Sequence, residues 1–580
     1  MSTHEPGVRV RELLRDGPAE AMQSGLLQQL LRWRTAVFVM LLGAVTGAQG
    51  RSGRADTPMP RQWALEIADF AALPITGLAD GTGNNAGSLA RINVMRQEPG
   101  PAGRFFVNDL TGPLYILDRQ TKRATLYLDF NGRSPRTGLF DKLPTEAGLA
   151  SGFISFEFDP DYARNGRFYT IHLEELALPG RQTPDNAGVP GLMLDGYAST
   201  APVPTPGPVD HEGVLIEWTD TNIANATFEG RARELLRIPL NSRIHPLGDL
   251  TFNPAAREGD PDWRVMYVAC GDGGSGDDRR PVIHFNPQRL DTLVGKILRI
   301  VPDPASHERD SRVSENQRYR VPLDNPFVAV SGARPEIWAY GVRNPHRVGW
   351  NVERGRADLI ASMIGWRTWE TVLIVHKGGN YGYPLREGGE AIEGDRLVRE
   401  LPQPDEIPIR VNDTVTNGAV APLYPVIRYG HGDAGGDAIA GGFVYRGRRV
   451  PQLAGKFVFG DISTGRLWFA DVRDMRAADD GVAQTRAEIH ELHVWWDDPA
   501  DAPDRGRQSY PTLAPVVTAA YHARGGKDPD LPGTAAVAGS GRVDLRLAVD
   551  RDGELYLLSK SDGVIRSVTG LRAVPTASSR

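Results

Sequence analysis

From residue 60 onward the chain is a succession of short β-rich runs, each fenced by Gly, Asp, Asn or Pro, with no long helical periodicity between them. Arg104–Asn108, Leu114–Leu117, Arg167–His172, Val214–Trp218 and Arg264–Ala269 are such runs. Lys296–Val301, Gly442–Tyr445, Lys456–Phe459, Arg466–Ala470 and Glu554–Leu558 follow. β-branched and aromatic residues at this spacing predict antiparallel strands. Turn formers such as Asp159-Pro160-Asp161, Asn165-Gly166 and Asp552-Gly553 stand directly before strands. Three segments share one form: NGRFYTIH, DGELYLLS and TGRLWFAD. Weak internal likeness of this kind predicts an all-β propeller, each blade repeating a four-stranded meander. With 65 Gly and 44 Pro in 580 residues, many tight turns are expected and a helical bundle is not. One domain is expected over residues 60–570, with a disordered tail at 571–580. The stretches 179–210 and 496–535, rich in Pro, Gly and Asp, are expected to be surface insertions, not linkers.

The formal net charge is −6, without the basic excess of a general nucleic-acid binder. The one cysteine, Cys270, excludes an intrachain disulfide and any cluster or zinc site built on several thiolates. Beside a glycine turn it is expected to be a small buried residue. Residues 35–50 form an uncharged, largely apolar run after Arg32 and Arg34 and end in small residues. These are the parts of a secretory signal, and the run is short for a spanning helix. Residues 1–50 are therefore read as a signal segment, with Met22 as the start and cleavage near Ala48. A periplasmic or secreted location is expected, with membrane attachment only if that segment stays uncleaved.

Four groups of residues carry chemistry. His245 opens the run HPLGDL and Asp272 lies in CGDGGSGDD. Loops that follow strands gather at a propeller axis, so the two side chains meet there if the loops are neighbours. A neutral imidazole would then take a proton from an alcohol. The plainer alternatives are a loop histidine and a flexible turn. Arg343 and Asn344 precede Pro345 and give adjacent donors suited to a carboxylate or a quinone oxygen. The alternative is a structural pair of Arg343 with Glu336. Gly378–Pro384 with Glu370 offers hard oxygen ligands for Ca²⁺, or simply a tight turn. Arg446 and Arg466 lie on loops flanking a strand pair. P-loop, HExxH, GxSxG and dinucleotide signatures are missing.

Ten segments in order resemble the soluble quinoprotein sugar dehydrogenases, the glucose/sorbosone and aldose sugar dehydrogenase family, which includes Hedgehog-interacting-protein-like propellers. They are FEFDPDYARNGRFYTIH, HPLGDLTFNP, YVACGDGGSGDD, LVGKILRI, DNPF, RPEIWAYGVRNPHR, KGGNYGYP, GGFVYRG, GKFVFGDISTGRLW and DGELYLLSKSDGVIR, spanning roughly residues 90–570. The resemblance implies a six-bladed β-propeller with pyrroloquinoline quinone (PQQ) on the axis beside Ca²⁺. It implies oxidation of an aldose at the anomeric hydroxyl to the lactone. By motif, His245 matches the base and Asp272 its orienting acid. Arg343 and Asn344 match the pair on the quinone oxygens, Arg446 and Arg466 the cations near the cofactor carboxylates, and Glu370 an acid on the calcium side. The partners implied are a small sugar and an electron acceptor that the sequence does not identify. Pro246, Leu247, Ala150, Trp366 and Thr371 depart from the family pattern and remove polar groups near this site. Two other readings stay open: a non-catalytic propeller that binds a carbohydrate or a protein, and a Ca²⁺-dependent lactonase.

Overall fold

The computed structural model describes residues 61–575 except 78–86, 146–150, 433–434, 498–505 and 536–538. The chain separates into two units, Met1–Pro58 and Met59–Arg580. The first lies outside the described residues, as do the signal segment with Met22 and Ala48, and also Ala150.

The second unit is a six-bladed β-propeller. Its first blade is the meander Ile92–Gln97, Phe105–Asp109, Pro113–Leu117 and Ala124–Asp129. The second is Phe153–Phe158, Arg167–Glu175, His211–Asp220 and Gly230–Leu240, and the third Leu247–Phe252, Met266–Cys270, Lys296–Ile300 and Ile337–Tyr340. The fourth is Asn344–Glu353, Arg356–Ile364, Trp369–Ile374 and Ile427–Gly430. The fifth is Ile439–Val444, Lys456–Asp461, Leu467–Asp471 and His490–Trp496. Leu545–Val549, Leu555–Ser559 and Val564–Pro575 begin the sixth, and the N-terminal strand Arg61–Ala72 completes it from outside. That strand also pairs in parallel with His490–Trp496 of the fifth blade, Trp63 opposite Leu492. The first strands of the six blades neighbour one another in a closed ring around the axis.

Middle strands are buried on both faces, which is why Pro113–Leu117 and Met266–Cys270 read as continuous apolar runs. Their side chains fill six hydrophobic clusters, one between each pair of adjacent blades. Burying one such large apolar side chain contributes about 1.5–3 kcal/mol. The first strands instead point polar groups at the axis. Arg96 of the first blade reaches Glu157 of the second at 2.9 Å and Asp249 of the third at 2.8 Å. Asn93 of the first blade donates to Ile154 O in the second at 2.6 Å, and Arg546 of the sixth donates to Asn93 at 2.9 Å.

Both expected insertions occur. Residues 176–210 leave the second blade and return to add Leu192–Met193 along its outer strand, Gly230–Leu240. Residues 497–544 connect the last two blades. The expected loop there contains the helix Ala514–Ala523, whose Val516, Val517 and Tyr521 enter the core between those blades. The expected loose tail starts too early, because the final strand runs to Pro575 and pairs with the N-terminal strand. Among the described residues no helix is long and apolar enough to cross a membrane.

Candidate active site

In each blade the first strand departs from one end of the ring and the second strand returns to it. Residues just before a first strand and just after a second strand therefore meet at one mouth. His245 precedes Leu247–Phe252 and Asp272 follows Met266–Cys270, and the structure joins them: Nδ1 of His245 lies 2.7 Å from an Asp272 oxygen. Asp272 is fully buried and accepts from the backbone N–H of Gly274 at 2.9 Å and of Gly276 at 2.8 Å. Three donors on one carboxylate identify Nδ1 as the protonated nitrogen and leave Nε2 with its lone pair. The two loops approach closely, since a Cβ on Gly271 would stand 2.2 Å from the His245 carbonyl oxygen. His245 itself holds φ at 51°, an uncommon value for a residue other than glycine.

Arg343 arrives from the next blade. Its carbonyl accepts from the Asp272 N–H at 2.8 Å, so the backbone fixes it beside the His–Asp pair. The guanidinium grips Asp277 through two bonds of 2.9 and 2.6 Å and donates to the Gly365 carbonyl. The Tyr383 hydroxyl also donates to Asp277. Burial alone would push the Asp277 carboxyl up, but the Arg343 hydrogen bonds and charge hold it down at about 2. Asn344 sits beside Arg343 at the start of its strand, buried, with no side-chain hydrogen bond to the described residues.

The other assignments change. Glu370 is fully buried and accepts from Gly365 N–H at 3.1 Å, Ile439 N–H at 2.8 Å and the His431 ring at 2.8 Å. It staples two blades together, both of its oxygens engaged by protein donors. Arg446 follows the strand Ile439–Val444, which runs away from the mouth. It is exposed at the opposite end and bonds Asn351 at 2.6 Å. Arg466 turns outward, onto Glu491 and over the Trp468 ring. Cys270 is fully buried, and burial pushes its thiol up to about 12.

The cations of the mouth come instead from residues to which the sequence reading gave no role. Arg91 precedes the first strand of the first blade. Arg542, Asp544 and Arg546 open the sixth blade, Lys560 follows its second strand, and His346 and Arg347 belong to the fourth. All are buried or half-buried, and Asp544 is the acid among them, 3.2 Å from Lys560. Burial pushes Arg546 down to about 9, helped by Arg347, Arg542 and Arg91 and opposed by Asp544. Burial and the charges of Arg347, Arg546 and Lys560 keep His346 neutral, and its buried Nε2 has no partner. Among the described residues Arg347 donates to carbonyls alone, including those of His346 at 2.8 Å and Asn93 at 3.0 Å. These cations outnumber the carboxylates that act on them, Asp544 and Asp249, and create a positive potential suited to a compact polyanion.

Residues 241–492 match the Glucose / Sorbosone dehydrogenase family model, so the family resemblance read from the sequence holds over that region. The chain is 26% identical to the HIPL1 protein of Arabidopsis thaliana over 392 residues, 64% of this chain and 51% of that protein. It is 32% identical to the aldose sugar dehydrogenase YliI of Escherichia coli (strain K12) over 132 residues, 23% of this chain and 29% of that protein. It thus spans about half the length of its Arabidopsis relative. Among solved structures, a crystal structure of a glucose dehydrogenase aligns with a TM-score of 0.48 at 18% identity, covering 87% of this chain and 99% of that one.

Proposed function

We propose that this chain, whose residues 241–492 match the glucose/sorbosone dehydrogenase family model, is an exported sugar oxidoreductase that oxidises an aldose to its lactone with PQQ. The observation that carries the reading is the His245–Asp272 pair, 2.7 Å apart, at a mouth whose cations outnumber its acids. PQQ is a planar tricarboxylate quinone, and the donors here fit it. Arg91, Arg347, Arg546 and Lys560 would hold its carboxylates, while Arg343 and Asn344 would face its quinone oxygens. When bound, PQQ supplies the acceptor for the hydride leaving the anomeric carbon. The chain's own residues handle the proton. Nε2 of His245 accepts it from the sugar hydroxyl, and the imidazolium so formed is steadied by Asp272 on the opposite nitrogen. The acid read from the sequence for calcium, Glu370, does not fit that ion, and no step is derived through it.

The test is a PQQ titration followed by quinone absorbance. Stoichiometric binding is expected, with bleaching on addition of an aldose. Arg546→Gln is expected to weaken binding about tenfold or more, the loss typical of one charge-assisted contact. Absence of binding at micromolar PQQ would sink the reading and favour a non-catalytic propeller.

A further inference from the structure

The rim outside this mouth is built from residues beside the site groups. Arg243 stands two residues before His245, Arg279 two after Asp277, and Arg367 two after Gly365, whose carbonyl Arg343 engages. Arg279 and Arg367 are fixed by one indole: their guanidinium carbons lie 4.9 and 4.3 Å from the Trp366 ring centre. Backbone acceptors complete the arrangement, Gly394 O to Arg279 at 2.6 Å and Asp395 O to Arg367 at 2.8 Å. Counter-charge is scarce. Asp278 is consumed by Arg280 in a two-pronged pair at 2.9 and 2.7 Å. Among the described residues only the Asp395 carboxylate approaches the two fixed guanidiniums, at 3.3 and 3.9 Å, and its side chain is 76% exposed. Arg243 is exposed and makes no ion pair with the described residues. The buried Glu387 carboxylate lies under the same loop and is occupied by the backbone N–H groups of Trp366 and Arg367 at 2.8 and 3.0 Å. Three cations against these two carboxylates, on a chain of net charge −6, leave a local positive excess.

We propose that the sugar taken by this site carries a carboxylate, received at the rim by Arg279, Arg367 and Arg243. The substrate class is then an acidic saccharide of the uronate type, a statement that rests on the sugar-oxidoreductase reading above. A guanidinium is a planar fork matched to a carboxylate, and one already held on an indole loses little freedom on binding. Trp366, a departure from the family pattern, acquires a role here as the part that holds two forks still.

The experiment is direct calorimetric binding of D-glucuronate and D-galacturonate, each against its neutral counterpart, with glucose 6-phosphate as a further probe. The protein is used with and without PQQ. At low salt the uronates are expected to bind about tenfold more tightly than the neutral sugars. The preference should shrink towards unity in the Arg279→Gln/Arg367→Gln double variant and at high ionic strength. Both arginines are at least 39% exposed, so an unchanged melting temperature is expected to accompany that loss. Equal affinity for acidic and neutral sugars, a preference that survives the double substitution, or binding of neither sugar would overturn the proposal. Tighter binding of the phosphate than of the uronates would overturn the carboxylate assignment. Oxidation of neutral aldoses without acid preference would remove this proposal and leave the oxidoreductase intact. Uronate binding without turnover would do the reverse.

Discussion

His245→Ala is expected to lower the turnover of aldose by PQQ-loaded protein about a thousandfold. A positioned general base contributes roughly 10²–10⁴ in rate. Cofactor affinity should stay within about twofold, because the cations that would hold PQQ lie on other blades. Asp272→Asn should cost a comparable factor by a different route. The Asp272 oxygens accept from His245, Gly274 and Gly276. An amide in that place turns a donor toward one of them, and if it faces His245 the imidazole must present the wrong tautomer. Steady-state rates on both variants, with PQQ titrated in parallel, separate loss of chemistry from loss of cofactor. Near-normal turnover in either would dismiss this pair as the proton acceptor.

Arg237→Met is expected to give the largest loss of stability, about 3–5 kcal/mol, the usual cost of removing one partner from a buried ionic group. Arg237 is buried in the second blade among three carboxylates: Glu174 at 2.6 Å, Glu212 at 2.8 Å and Glu234 at 2.9 Å. The same carboxylates tie down the insertion after residue 175. Glu234 accepts from Thr200 N–H and Oγ1 at 2.8 and 2.7 Å and from the Tyr197 hydroxyl at 3.1 Å, and Glu212 accepts from Gln182 at 3.2 Å. Burial alone would raise the Glu174 carboxyl, but His172 and Arg237 hold it below its usual value. A carboxyl lowered on folding stabilises the native state above the ordinary carboxylate range, and that contribution is lost as pH falls through it. The gap between wild type and variant in denaturant midpoint should therefore be widest near neutral pH and narrow in acid, where protonated carboxyls need no guanidinium. A gap that is independent of pH would count against the electrostatic account.

Much of this was legible in the sequence, and the exceptions have physical reasons. Middle strands such as Pro113–Leu117 and Met266–Cys270 were readable because burial on both faces demands unbroken apolar runs. First strands such as Ile92–Gln97 and Asn344–Glu353 were not, because Asn93, Arg96 and Arg347 on them look like loop residues until the ring places partners across the axis. His245, Asp272 and Arg343 stood out because each flanks a strand end within a recognisable motif. Asp277 was in plain view, yet nothing in its spacing reveals that Arg343 of another blade grips it. Arg446 was misplaced by strand direction, since it follows a strand that leaves the mouth. Arg542, Arg546 and Lys560 went unread because only ring closure brings the chain's last blade beside its first.

That closure has a temporal side. The strand at 61–72 leaves the ribosome among the first described residues, but its antiparallel partner, Val564–Pro575, leaves among the last. During synthesis the early strand waits unpaired along that edge while five blades form. Pairing separated by some five hundred residues is slow to find, and unpaired strand edges invite association with other chains. Three of the cations at the mouth belong to the blade that this event completes. A chain stalled before the ends meet would have the His245–Asp272 pair in place but only part of the set of cations proposed to hold PQQ, so retention of PQQ is expected to report that the circle has shut.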